Sequence, residues 1–164
     1  MKSEVKKIIL DLIPNDGLKD IKFGMHKTEV RQKMKEIYGD INFSNRNEDT
    51  ECYFSNSLQF TYEKDGTLSF IETASPPPIY ISILGINTWE ISGEELLKKL
   101  SEKDKINDEI SEGGYNPIFE NTHITLWDLD EQYDHIGNGK IARWGAIGIG
   151  DNRYYSQICS LYNK

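Results

Sequence analysis

The chain has 164 residues, which is enough for one domain or for two small units that share a core. A hydrophobic content of 37% and an aromatic content of 11% allow such a core and argue against wholesale disorder. The formal net charge of −8 disfavours nucleic acid or a membrane surface as the main partner, because both attract positive charge, whereas it suits a basic protein.

The first predicted element is a short helix over residues 3–13. Its apolar residues are spaced at i, i+3, i+4 and i+7, which places them in one stripe on a helix. The stripe consists of Val5, Ile8, Ile9 and Leu12. The turn residues Pro14 to Gly17 end it.

A degenerate repeat organises the chain that follows. Residues 23–34 recur at 89–100, a shift of 66 positions, and the same shift carries Leu58 onto Ile124. One offset that serves both a helix signal and a strand signal indicates an internal duplication.

Each copy of the repeat predicts a helix, the first over residues 27–38 and the second over 93–103. His26 lies at the cap position of the first helix, and Ser92 opens a capping box in the second. The apolar stripes that these helices bury are Val30, Met34 and Ile37 in the first, and Leu96, Leu97 and Leu100 in the second.

A hairpin is the clearest strand signal in the first half. Residues 58–62 alternate apolar and polar, Asp65-Gly66 supplies the turn, and residues 68–71 return. A further strand is predicted at 51–54, after a polar loop at 39–50.

The second half begins after the proline run at 75–78, which we interpret as the joint between the repeats. Strands are predicted over residues 79–84, 117–120, 123–129 and 141–150, with loops at 104–116 and at an insertion, 130–140. The glycines at 145, 148 and 150 indicate a bulge or a close backbone approach. The tail at 154–162 fits either a helix or a last strand.

These elements predict an α+β fold of tandem helix-plus-antiparallel-meander repeats, residues 1–75 and 76–164, within one compact unit. The repeats pair edge to edge into one sheet with the helices on one face. The other sheet face is then open, and exposed aromatic side chains on it would mark a partner site.

An acidic segment directly follows the predicted strand at 123–129. Residues 120–134 hold five carboxylates and no Lys or Arg, and residues 83–164 hold 14 Asp and Glu against 8 Lys and Arg, a net charge of −6. A solvated loop, a recognition patch for a basic partner and a metal site with His123 and His135 all fit. A calcium loop that starts at Asp128 does not fit, because Tyr133 and Gly139 stand where Gly and Glu are needed.

Trp127 stands out among the aromatic residues. Its parity is opposite to that of Ile124 and Leu126, which places it on the other face of the strand, whereas Tyr62 shares the core parity of Phe60. Trp and Tyr dominate binding hot spots. The predicted partner-binding residues are Trp127, Asp128, Asp130, Glu131, Tyr133 and Asp134.

No motif in the chain predicts catalysis, a metal or a cofactor. The histidines are scattered, and Gly145-x-x-Gly148-x-Gly150 lacks the order and context of a phosphate loop. The two cysteines form no C-x-x-C motif and are expected to be reduced. The N-terminal residues lack the apolar run of a signal peptide and no stretch reaches a membrane span, so we expect a cytoplasmic protein.

The helix opening Gly24-Met25-x-x-x-Glu29-Val30 followed by a meander, twice over, resembles the beta-lactamase inhibitor protein fold across residues 17–150. The resemblance implies a long antiparallel sheet with helices on one face and a curved, exposed face that binds a partner protein. The chain lacks the secretion signal and the disulfides of that fold, which argues against a secreted inhibitor.

A small, acidic chain of this composition, rich in Lys, Asn and Ile, also resembles the immunity proteins of bacterial toxin systems, which bind and block a cognate toxin. We therefore expect a non-catalytic bacterial inhibitor, an immunity protein that neutralises a basic toxin. The alternatives are a small-ligand-binding protein or an enzyme that uses the open sheet face, and a plain structural or adaptor module.

Overall fold

The computed structural model of the protein describes residues 7–74, 78–111, 116–127, 133–136 and 139–162. Helices and mostly antiparallel strands in these ranges make an α+β fold, which confirms the predicted class. The helices are α1 (Lys27–Tyr38), α2 (Gly93–Ser101) and α3 (Asn152–Tyr162). The strands are β1 (Ile8–Ile13), β2 (Gly17–Leu18), β3 (Ile21–Lys22), β4 (Ser44–Asn47), β5 (Thr50–Tyr53), β6 (Leu58–Tyr62), β7 (Leu68–Thr73), β8 (Ile79–Ile83), β9 (Ile86–Asn87), β10 (Ile124–Trp127), β11 (Tyr133–Ile136), β12 (Gly139–Ala142) and β13 (Ala146–Gly150).

A six-stranded sheet joins the two halves of the chain in the order β10-β13-β7-β6-β5-β4. The hairpin predicted around Asp65-Gly66 is confirmed as β6 and β7, and the second half contributes the pair β10 and β13. Strand β13 then runs antiparallel to β7, with Ile149 opposite Ile71. The two hairpins therefore meet edge to edge, as the duplication predicts.

A second, five-stranded sheet, β3-β2-β1-β8-β9, corrects the prediction of a single sheet. The predicted helix over residues 3–13 is wrong, because residues 8–13 form β1, which pairs in parallel with β8 and sets Leu10 opposite Ile81. Buried Leu10 and Leu12 alternate with exposed Ile9 and Asp11. The same apolar residues fit a helical stripe and a strand alternation, and the distant partner β8 decides between them.

Three further predictions are corrected: two predicted loops contain strands, and one predicted strand does not form. The predicted loop at 39–50 contains β4, an edge strand whose four residues are all exposed. The insertion at 130–140 contains β11, which forms a separate hairpin with β12. The predicted strand at 117–120 forms only isolated bridges. In the tail, the alternative of a helix is confirmed by α3.

The two repeat helices follow the offset of 66 residues, since α1 begins at Lys27 and α2 at Gly93. Both predicted caps are confirmed. The His26 side chain accepts a hydrogen bond from the Thr28 amide, and the Ser92 hydroxyl accepts one from the Glu95 amide at 3.1 Å. These contacts satisfy amide groups that the first turn of a helix leaves without partners.

One hydrophobic core lies between the repeat helices and both sheets. Val30 of α1 and Leu96 of α2 are buried in it together with Phe60 and Ile71 of the six-stranded sheet. Phe70 has the opposite parity to Ile71 and meets α3 instead. Helices α1 and α2 thus pack on the core face, whereas α3 lies on the outer face of the six-stranded sheet.

Candidate partner-binding groove

Helix α3 approaches the outer face of the six-stranded sheet through an aromatic layer. The Tyr154 ring stacks on Phe70 with a centroid separation of 4.0 Å and an interplanar angle of 12°. Strand β13 presents glycines below this layer. A Cβ atom at Gly150 would lie 2.5 Å from Tyr154 Cδ1, and one at Gly148 would lie 2.6 Å from Phe70 Cζ. The prediction that these glycines mark a close approach is confirmed.

The first turn of α3 is fastened to the β6–β7 turn by Arg153. Its guanidinium group donates to Thr67 Oγ1 at 2.6 Å and to the Leu68 carbonyl oxygen at 3.0 Å. It also donates to Asp151 Oδ2 at 2.8 Å. A planar donor that serves three acceptors fixes the position of the helix more tightly than one contact would.

A groove of about 410 Å³ remains between α3 and the sheet face, and we call it the α3 groove. Its wall is mostly apolar and aromatic, with Arg46, Glu72, Asn116 and Thr125 as polar residues. The apolar side chains include Phe70, Trp127, Tyr154, Ile158, Leu161 and Tyr162.

Exposed apolar side chains are concentrated at this groove. Leu161 is 68% exposed, Trp127 50% and Tyr162 46%, and these are the three highest values among the large hydrophobic residues that the structure describes. Ile9 and Ile13, which lie on the other sheet, follow at 41% and 40%. A contiguous exposed apolar surface in a folded protein is typical of an interaction site.

Only one of the predicted partner-binding residues lies at the α3 groove in the part of the chain that the structure describes. Trp127 ends β10 and lines the α3 groove, and its predicted outward parity is confirmed, because Ile124 and Leu126 are each 1% exposed. Tyr133 and Asp134 open β11, which pairs with β12. The remaining predicted residues, Asp128, Asp130 and Glu131, lie outside the described residues.

Sequence reasoning missed the opposite wall of the groove, formed by Tyr154, Ile158, Leu161 and Tyr162. The signal was present in two parts. Glycines alternating through a strand indicated that something packs closely on that strand. An apolar tail of ambiguous period lay directly after it, and joining the two would have placed the tail on the glycine face.

The ionisable side chains in and near the groove are shaped by burial and hydrogen bonding. Burial, and then the negative charge of Glu72, raises the pKa of Tyr154 to about 12, so its phenol stays neutral at physiological pH. Arg46 donates to Gln59 Oε1 at 2.9 Å. His123 is buried; its Nδ1 donates to the Gly150 carbonyl oxygen at 3.2 Å and its ring stacks on Tyr155.

A buried carboxylate elsewhere has a structural role. Glu51 is 4% exposed and accepts hydrogen bonds from Arg31 Nε at 3.0 Å and from the Tyr62 hydroxyl at 3.3 Å. Hydrogen bonding to Glu51 raises the pKa of Arg31, and burial followed by the charge of Glu51 raises that of Tyr62. A buried charge needs such partners, and these contacts supply them.

No three His, Cys, Asp or Glu side chains among the described residues come together closely enough to hold a metal ion. None of the helices in the described part of the chain has the length and apolar composition that crossing a bilayer requires.

The chain was compared with protein-family models, with curated proteins and with solved structures, and none of the three comparisons gave a match.

Proposed function

We propose that this protein is a non-catalytic inhibitor that binds a basic partner protein through the α3 groove. One observation carries the proposal: the three most exposed large hydrophobic side chains of the described residues, Leu161, Trp127 and Tyr162, line the same groove. A Trp and a Tyr at the rim of an apolar groove are the residue types that contribute most to protein–protein affinity.

Charge specifies the class of partner. The net charge of −8 favours a basic surface, and the acidic segment begins directly after Trp127, at Asp128. An immunity protein that blocks a basic toxin, such as a nuclease, combines these properties, and a bacterial cytoplasm is the compartment in which it would act. A standard interface covers roughly 800 Å² on each partner, so surface beyond the groove takes part as well.

A capture experiment with matched variants tests the site. The baits for lysate of the native cells are the wild-type protein, the groove variant W127A/L161S and the control I9S/I13S. The control changes two exposed hydrophobic residues on the other sheet. Mass spectrometry identifies bound proteins, and calorimetry with the purified partner gives affinities. We expect one basic partner that binds wild type and control equally and loses at least tenfold in affinity for the groove variant, about 1.4 kcal/mol. Equal binding by all three baits would place the interface elsewhere.

The acidic segment has a separate readout, the association rate. Charges at the rim of an interface act mainly on encounter, so D128N/D130N/D134N is expected to slow association with the basic partner by roughly tenfold at low salt and to flatten its salt dependence. Stopped-flow mixing at several ionic strengths measures both. Unchanged kinetics would show that these carboxylates are only solvated.

A second candidate function is binding of a small apolar ligand in the α3 groove. The volume of about 410 Å³ favours it, because drug-sized ligand pockets span roughly 300–1,000 Å³. Titration with 1-anilinonaphthalene-8-sulfonate distinguishes the two. Saturable binding that is lost in W127A/L161S, without any captured protein, would support the ligand-binding function.

A further inference from the structure

An aromatic corner lies on the five-stranded sheet, away from the α3 groove. Tyr80 of β8 is the register partner of Ile9, and both lie on the outer face because their neighbours Ile81 and Leu10 are buried. Trp89 belongs to a short 3₁₀ helix, Thr88–Glu90, that follows β9. The two rings meet edge to face, with centroids 5.3 Å apart and an interplanar angle of 67°.

One ammonium group lies against both rings. Lys7 Nζ is 4.5 Å from the centroid of the Tyr80 ring and 4.5 Å from that of the Trp89 ring. Both distances are inside the limit of about 6 Å for a cation–π contact, and Trp is the strongest aromatic partner for a cation. The rings are partly buried, whereas Lys7 is exposed. The corner therefore already holds a cation, and the side chain that supplies this cation is open to solvent.

We propose that Tyr80 and Trp89 form a binding site for a quaternary ammonium group, which Lys7 covers in the free protein. Two π faces attract positive charge but provide no strong hydrogen-bond acceptor. A primary ammonium group must give up hydration of its three N–H groups to enter such a corner, whereas a methylated ammonium keeps the charge and has no N–H to satisfy. This chemistry favours a quaternary cation over the primary ammonium group of Lys7, which occupies the corner in the free protein.

Lys7 can leave without disturbing the sheet. Strand β1 begins at the next residue, where the Ile8 amide donates to the Pro78 carbonyl oxygen at 2.9 Å. The backbone is therefore fixed on the C-terminal side of Lys7, whereas its exposed side chain has no role in that pairing. Because Lys7 competes for the corner, the apparent affinity for an added cation falls by about three- to sixfold. This is the factor expected for a weak, exposed cation–π contact.

Titration with tetramethylammonium chloride at constant ionic strength tests the site, with the amide signals of Tyr80 and Ile81 as NMR reporters. We expect saturable shifts, with binding to K7Q about three- to sixfold tighter than to wild type. The double variants K7Q/W89L and K7Q/Y80L should lose binding, and K7Q/W127L, which removes an exposed Trp elsewhere, should retain it. If K7Q shows no saturable shift, the corner is not a binding site for the cation. If K7Q and wild type bind with equal affinity, Lys7 does not cover the site.

Two comparisons define the ligand. Methylammonium should bind more weakly than tetramethylammonium, and equal or stronger binding would overturn the preference for a quaternary cation. A quaternary ammonium group can belong to a small molecule or to a methylated protein, and binding of choline and of a short trimethyl-lysine peptide distinguishes the two. Tighter binding of choline assigns the site to small molecules, and tighter binding of the peptide assigns it to methylated proteins. The site does not depend on the α3 groove, so either proposal can fail alone.

Discussion

The outer faces of the two sheets differ in what lies on them. On the six-stranded sheet, helix α3 rests on an aromatic layer above Gly148 and Gly150. On the outer face of the five-stranded sheet, Tyr80 is contacted by the Trp89 ring and the Lys7 ammonium group, and Ile9 stays 41% exposed. The difference teaches that glycines on a sheet face let a helix approach closely, whereas the Ile9 and Ile13 side chains stand out from the other face.

Helix α3 covers the outer face of the six-stranded sheet only in part. None of the residues of α3 is fully buried, and its described contacts to the sheet are concentrated in the first turn, at Arg153 and Tyr154. Towards its other end, Leu161 and Tyr162 are largely exposed. A helix attached at one end leaves a groove at the other, and the α3 groove follows from that asymmetry.

The largest expected effect comes from making the covered face resemble the uncovered one. In G150V the new Cβ atom would lie about 2.5 Å from the Tyr154 ring, so the ring and α3 must move. Overpacking of this kind costs about 1–3 kcal/mol of the free energy of unfolding. Urea denaturation and hydrogen exchange of the α3 amides measure the loss. Added bulk on the other outer face, in I9F, should change stability by less than about 0.5 kcal/mol. If α3 keeps its protection in G150V, the glycines are not what admits the helix.

Removing the attachment of the first turn should have the next largest effect. R153A deletes the donor to Thr67 and Leu68 and leaves Asp151 without its ion pair. Because the guanidinium is partly exposed, we expect a loss of about 1–2 kcal/mol in the free energy of unfolding. R153K is the control: it keeps the charge but not the planar fork, and it should recover less than half of the loss. Full stability of R153A in urea would show that α3 is held without the Arg153 contacts.

The smallest effect is a response to alkaline pH. Burial and the charge of Glu72 raise the pKa of Tyr154 from 10.0 to about 12, so the folded protein holds this proton more tightly than the unfolded chain does. The associated stability is complete below pH 10 and is lost as the pH rises towards 12. Between pH 9 and pH 11, Y154F should lose about 1 kcal/mol less of its free energy of unfolding than wild type. Identical losses in the two proteins would mean that Tyr154 ionises as freely in the folded state as in the unfolded one.

The parts of the fold that could be predicted are those that local chemistry decides. Caps at His26 and Ser92, the Asp65-Gly66 turn and the parity of Trp127 each depend on residues within a few positions. Strand β1 could not be predicted in this way, because the spacing of its apolar residues suits two periods and its partner β8 lies in the other half of the chain. At the α3 groove, only the outward direction of Trp127 could be predicted, because parity is local, whereas the other wall depends on where the tail packs.

The pairing of β7 with β13 has a consequence for the order in which the protein can assemble. Strand β7 ends at Thr73 and β13 begins at Ala146, so everything from Ala74 to Gly145 must leave the ribosome before the two meet. Until then one edge of β7 presents unpaired backbone groups, which can join strands of other chains. Long-range pairings of this kind also slow folding. The newly made first half is therefore exposed to aggregation until β13, which follows Gly145, has been synthesised.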